Sequence, residues 1–233
     1  MKAKIISAAL VAIGLLALGL CIRSGVKSFS TNSRVVSVRG LSEREVKANK
    51  VTWPIVYKIL GNDLNTVYNQ MESSNSTIVE YLTSNGVAKD EIMIEAPSLT
   101  DAQANQYTSD RAAYRYVATV VLTVTSNDVD KVVDLINRQG ELLKKGITLA
   151  EGGWSYQTIF EYTALNDIKP DMIAEATRNA RDAAQKFADD SGSRLGKIKS
   201  AQQGQFSIED RDPYTPSIKN VRVVTYIDYI IED

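Results

Sequence analysis

Serine, lysine and carboxylate side chains would have to carry any covalent or acid–base chemistry in this chain, which has no histidine and one cysteine, Cys21. The missing histidine removes the usual base of Ser/His/Asp and Cys/His catalysis and the commonest metal ligand. Ser42 with Lys47, and Ser191 with Lys197, could in principle form a serine–lysine nucleophile. That chemistry needs a buried lysine with a lowered pKa, and both lysines sit in charged stretches. Asp189 and Asp190, Asp130 and Asp134, and the run Glu209 to Asp212 gather carboxylates that could bind calcium or act as an acid and base. None follows the Asp-x-Asp-x-Asp-Gly order of a calcium loop, and all read as solvated charged faces. "SGSRLGKI" lacks the order of a phosphate loop and follows a helix instead of preceding one. Gly192 is read as a helix stop and Gly196 as a turn. Asn75-Ser76-Thr77 is a formal glycosylation sequon in mid-helix and is given no role.

A second group is aromatic. Trp154, Tyr156, Phe160 and Tyr162 all fall on even positions, which puts four rings on one side of a strand. Such a row is a core face, a subunit interface, or a stacking platform for a sugar or a peptidoglycan fragment.

These groups belong to a chain of 233 residues, 44% hydrophobic and 24% charged, with 27 basic against 28 acidic residues. That is ordinary globular composition with no net field to draw nucleic acid. The lone cysteine lies in the apolar run Ile5 to Ile22, so the rest of the chain has no thiol chemistry and no internal disulfide. The run is 18 residues without a charge; as a helix it would extend roughly 27 Å, against a hydrocarbon core of about 30 Å. It exceeds a usual secretory core of about 7–15 residues and lacks a clean Ala-x-Ala site. Leu20 stands where a lipoprotein signal places a small residue before the cysteine. An uncleaved anchor is the first reading, with a cleaved signal peptide and lipidation of Cys21 as alternatives. Lys2 and Lys4 precede the run, which predicts a cytoplasmic N-terminus and an outward-facing domain.

The elements that must position everything else follow from periodicity. Residues 1–22 are the anchor or signal, 23–33 a polar tether, and 34–233 one α+β domain, with an antiparallel-rich mixed sheet and about three amphipathic helices on one face. "RVVSVRG" predicts a strand ending at Gly40, and Lys50 to Leu60 a second, with Pro54 implying an edge or bulge. Asp63 to Asn85 carries a helical stripe of Leu64, Val67, Tyr68, Met71, Ile78 and Leu82, capped by Asn62 or Asp63 and stopped by Gly86. "DEIMIEAPSL" and "AYRYVATVVLTVT" predict two strands around a polar loop, the second of them central. A helix capped at Ser126 to Asp128 follows, then a strand over "ITLAEGGWSYQTIFEYT". A third helix near Pro170 is lined by Met172, Ile173, Ala176, Ala180, Ala183, Ala184 and Phe187, whose small residues permit close approach to a sheet. "RLGKIKSAQQGQFSI" and "NVRVVTYIDYII" supply the last strands.

Three of these stretches, in order along the chain, resemble the SIMPL-domain family: "RVVSVRGLSEREVKANKVTWPI", "AYRYVATVVLTVTSNDVDKVVDLI" and "ATRNARDAAQKFADDSGSRLGKI". The first lacks the second glycine often found after Gly40, and the third helix has a longer lead-in at "NDIKPD". The resemblance implies an α+β fold, a bacterial envelope or periplasmic address, ring-like homo-oligomers and a link to oxidative stress, with no known catalytic residues. The expected function is non-catalytic: a single-pass protein of the inner membrane with its domain in the periplasm, acting through self-assembly or envelope protein partners, with no cofactor, metal or nucleic acid. The alternative is a periplasmic small-ligand or peptide-binding module on the Trp154 face, and a carboxylate-only enzyme comes last.

Overall fold

The computed structural model describes residues 34–104, 113–150 and 153–232, together with residues 14, 15 and 18–22. Strands are β1 (Val35–Lys47), β2 (Lys50–Gly61), β3 (Ile92–Ile94), β4 (Ser98–Asp101), β5 (Tyr116–Ser126), β6 (Ile159–Glu161), β7 (Arg194–Gln203), β8 (Ser207–Asp210) and β9 (Ile218–Glu232). Helices are α1 (Leu64–Ser84), α2 (Val129–Asn137), the short α3 (Gly140–Lys144) and α4 (Leu165–Asp190). The fold is α+β, with two sheets where one was expected. One runs β1-β9-β7 with β8 also on β9; the other runs β3-β5-β2-β6 with β4 also on β5.

The chain forms two compact units. One comprises residues to Ser42, Met172–Gln205 and Val223–Asp233; the other comprises Glu43–Asp171 and Phe206–Arg222.

The larger unit is built on β2 and β5, antiparallel from Val51↔Ser126 to Gly61↔Tyr116. Alternation sets the faces. Val51, Trp53, Ile55, Tyr57 and Ile59 on β2, and Ala118, Val120, Leu122 and Val124 on β5, are all buried in one cluster. Helix α1 packs on β2 and β5, and α2 on β2, both adding to that cluster. The Asp63 carboxylate caps α1 by accepting from Thr66 N at 2.8 Å, Asp128 caps α2 from Lys131 N at 3.2 Å, and Gly86 leaves α1 at φ +85°. In α1 the inward stripe is Val67, Met71, Asn75, Ile78, Tyr81 and Leu82, while Leu64 and Tyr68 of the expected stripe face solvent.

Pro54 breaks nothing in this sheet. The Val56 carbonyl accepts from Ala150 N at 2.8 Å on the side away from β5. Residues two apart share a side, so the Pro54 nitrogen also points away from β5. There β6 pairs only Lys50 to Thr52 and has already ended. The proline therefore occupies a local edge inside a strand that is flanked on both sides where β6 pairs with its start.

Further sequence expectations are corrected here. "DEIMIEAPSL" is not one strand but two, β3 and β4, because Pro97 between them has no N–H to continue a ladder. The strand over "ITLAEGGWSYQTIFEYT" contracts to Ile159–Glu161, preceded by a 3₁₀ turn at Gly153–Ser155 in which Gly153 takes φ +58°, a left-handed conformation that ends extended chain. The others concern the smaller unit.

In that unit, β7 runs antiparallel to β9, with Arg194↔Glu232 through Gln203↔Thr225 and two register shifts between Leu195 and Ser200. Gly196 lies within this strand and does not make a turn: a Cβ there would stand 2.9 Å from both Ile230 O and a Glu232 carboxylate oxygen. Nor does β1 end at Gly40; it continues to Lys47. Gly40 is where α4 comes closest, since a Cβ would overlap Ala176 O and lie 2.6 Å from Ala180 N. Met172, Ala176, Ala180, Ala184 and Ala188 are fully buried along α4, one ridge at four-residue spacing. Phe187, expected on this face, is 55% exposed. Gly192 stops the helix at φ +69°, as the sequence predicts.

Candidate functional site

In the larger unit a groove of about 690 Å³ opens beside the second half of β2. Its walls are that strand, the Gln70, Ser73 and Ser74 side of α1, and the return from Gly146 to Ala150. Each wall follows from local sequence. The β2 strand keeps its apolar residues on the core face, α1 turns its polar side to the groove rim, and Gly146 at φ +83° lets the chain leave α3 and run back to β2. That return touches β2 at the single bridge Tyr57↔Leu149 and the Ala150 N to Val56 O bond.

Tyr57 anchors the inner end. Only 2% exposed, it donates from its hydroxyl to Asn75 Oδ1 at 2.7 Å and lies 3.2 Å from Met71 O. Burial, helped by the negative charge of Glu72, pushes its pKa up to about 12, so it stays a neutral hydrogen-bond donor. Asn75, the residue of the sequon, is thereby a structural acceptor in mid-helix. Among the described residues Lys58 is the one charged residue on the groove lining.

The residues singled out by type are dispersed. Ser42 donates to Glu175 at 2.9 Å, whereas Lys47 pairs with Asp130 at 3.0 Å, so the two are engaged with different partners. Ser191 bonds Ala188 O at the end of α4, and Lys197 is on β7. Asp134 pairs with Arg138, Asp210 with Lys219, and Asp212 with Arg211. Hydrogen bonds from Thr215 and Arg211 hold the Asp212 carboxyl down at about 2. Among the described residues no group of three or more His, Cys, Asp or Glu side chains could hold a metal ion.

The aromatic residues do not make a row. Trp154 is in the 3₁₀ turn, Tyr156 is exposed in the segment after it, Phe160 on β6 is buried in the larger unit's core, and Tyr162 is half-buried beyond β6. Only Phe160 is on a strand, because Gly153 diverts the chain before alternation can begin.

Residues 36–223 match the family model SIMPL, described as "Protein of unknown function (DUF541)". The chain belongs to the SIMPL family. A search of curated proteins gave no match. The SIMPL match covers the whole larger unit with its groove, and in the smaller unit residues 36–42, 172–205 and 223. The anchor predicted at Ile5 to Ile22 falls mostly outside the described residues, as does the tether at 23–33. Cys21 is described, helical and exposed, and among the described residues no helix is long and apolar enough to cross a membrane. The groove itself was missed in the sequence. Its only signals are the Gln70/Ser73/Ser74 stripe and the glycine at 146, and both are ordinary features of a helix surface and a turn.

Proposed function

We propose that this SIMPL protein is a non-catalytic component of the cell envelope, tethered to the inner membrane by its apolar leader and working in the periplasm through self-assembly or partner proteins. The observation that carries the reading is the outer edge of the larger unit's sheet. There Ile94 and Leu99 on β3 and β4 are 49% and 48% exposed, although their β5 partners Leu122 and Ala118 are buried, and Met93, paired with the half-buried Thr123, is 61% exposed. Sheet edges are ordinarily guarded by charge or irregularity. The β7 edge has both, in Lys197, Lys199 and two register shifts. The β3 and β4 edge instead offers apolar side chains beside backbone that no further strand among the described residues pairs, the composition of a contact surface. A role under envelope or oxidative stress is consistent with this reading and with the family likeness described above.

The test is light scattering on the full chain in mild detergent, before and after Met93→Lys with Leu99→Lys. The expected result is a defined multimer that the double variant dissociates, with its circular dichroism unchanged. A monomer at all concentrations that captures no envelope protein after crosslinking would remove the reading.

A further inference from the structure

Sulfur is scarce in this chain, and one sulfur atom stands at the β3 and β4 edge. The sequence holds four methionines, Met1, Met71, Met93 and Met172, and one cysteine, Cys21, inside the leader. Met71 is buried in the core of the larger unit, and Met172 is fully buried on the inner ridge of α4. Met93 on β3 is 61% exposed, so among the described residues it is the one thioether that a solute in water can reach. With no histidine in the chain and no thiol beyond the leader, it is also the group there that a peroxide oxidises most readily.

The chemistry is a single oxygen transfer. A hydroperoxide gives its terminal oxygen to the sulfur: an S–O bond forms as the O–O bond breaks, sulfur loses two electrons, and the remainder takes the proton and leaves as water or an alcohol. A flexible apolar side chain becomes a polar, chiral sulfoxide.

The surroundings of Met93 turn that change into a penalty. In register, Met93 stands opposite Thr123, which stands opposite Pro54 on β2, so the three share one face of the sheet. The Thr123 hydroxyl already donates to Glu95 Oε1 at 2.8 Å and has no second proton to give. A sulfoxide oxygen would add an acceptor with partial negative charge on the same face as the Glu95 carboxylate. On a free chain water satisfies it. In a contact that excludes water it is left without a donor, and a stranded acceptor opposes burial.

We propose that Met93 is an oxidation switch on the self-assembly surface: the thioether favours association through the β3 and β4 edge, and the sulfoxide formed by a hydroperoxide releases it. The inference rests on the self-assembly half of the proposed function. By mass action the contact in turn shields the sulfur, so oxidation proceeds through the dissociated chain.

The experiment treats the full chain, carrying Cys21→Ala and held in mild detergent, with graded hydrogen peroxide. Peptide masses locate each added oxygen, and light scattering follows assembly. Met93 should gain its oxygen at least tenfold faster than Met71 or Met172, and more slowly as protein concentration rises. Its sulfoxide should raise the concentration needed for assembly at least tenfold with unchanged circular dichroism, and methionine sulfoxide reductases should reverse the effect. Met93→Leu, apolar and without sulfur, should keep its multimer under the same peroxide. Oxidation of Met71 or Met172 as fast as Met93, or a Met93→Leu multimer that peroxide dissociates as readily as wild type, overturns the proposal. The two readings fail separately. A chain that is monomeric before any peroxide is added removes self-assembly and the switch with it, whereas a multimer that outlasts complete oxidation of Met93 overturns the switch alone.

Discussion

Tyr57 and Asn75 show how a single polar contact constrains this fold. A tyrosine hydroxyl under a helix must find an acceptor, and here it finds one in a residue that the sequence marks only as a sequon. Tyr57→Phe leaves the Asn75 side-chain oxygen without its donor, and a buried acceptor stranded in this way costs about 1–3 kcal/mol. The variant should therefore lower the unfolding free energy obtained from urea titration by that amount at neutral pH. Its pH dependence carries a sign. The folded pKa lies at about 12, above the ordinary value of 10.0, so Tyr57 contributes fully below pH 10.0. That contribution fades as pH rises toward 12, because the unfolded chain loses the proton first. The difference in stability between wild type and Tyr57→Phe should accordingly shrink between those two values. A difference that stays constant would mean that the hydroxyl's environment is wetter than the structure shows.

At the scale of elements, the sequence was most legible where one periodicity ran uninterrupted and least where a glycine or proline decided between two outcomes. The alternation of β2 and β5, the caps at Asp63 and Asp128 and the stops at Gly86 and Gly192 follow from local rules that tertiary contacts did not override. Gly40 and Gly196 look like turn residues but are strand residues, kept small by what packs against them, and close approach leaves no mark in one sequence. The aromatic row failed for the converse reason, since Gly153 does turn the chain. Likewise, no pattern in residues 146–163 says that β6 is only three residues long, and the groove exists because of that shortness. Gly40→Ala tests the reading of the smaller unit. The new methyl meets the backbone of α4 at Ala176 O and Ala180 N, so the helix must move, and overpacking of this kind costs about 1–3 kcal/mol. Calorimetry should place the variant at the upper end of that range. Combining it with Ala180→Gly should restore little, because that change clears only the Ala180 Cβ, 2.8 Å away, and not the backbone atoms. Full rescue would show that the two elements are held apart by side chains alone.

At the scale of the whole molecule, the leader decides where the exposed edge and the groove can meet partners. A run of 18 uncharged residues in a helix spans roughly 27 Å, and a hydrocarbon core is about 30 Å thick, so retention as an anchor works with little slack. The flanks decide among the three fates. Leu20 before Cys21 disfavours lipid transfer, and the lack of a clean Ala-x-Ala site near the end of the run disfavours cleavage. An anchored chain should therefore sediment with bacterial membranes, resist extraction by high salt and alkali, and give an intact mass that includes the leader and an unmodified Cys21. Because that thiol is then only an apolar filler, Cys21→Ala should leave membrane retention unchanged. Placing one charge mid-run, as in Leu16→Lys, adds about 2.5–3.5 kcal/mol to insertion and should release much of the protein from the membrane fraction. If instead the mature chain begins at a lipid-modified Cys21, Cys21→Ala abolishes retention; if it begins beyond residue 22, the protein is found free in the periplasm. A lipidated Cys21 would keep the β3 and β4 edge and the β2 groove tethered through a different anchor, and a chain beginning beyond residue 22 would release them, with their chemistry intact in either case.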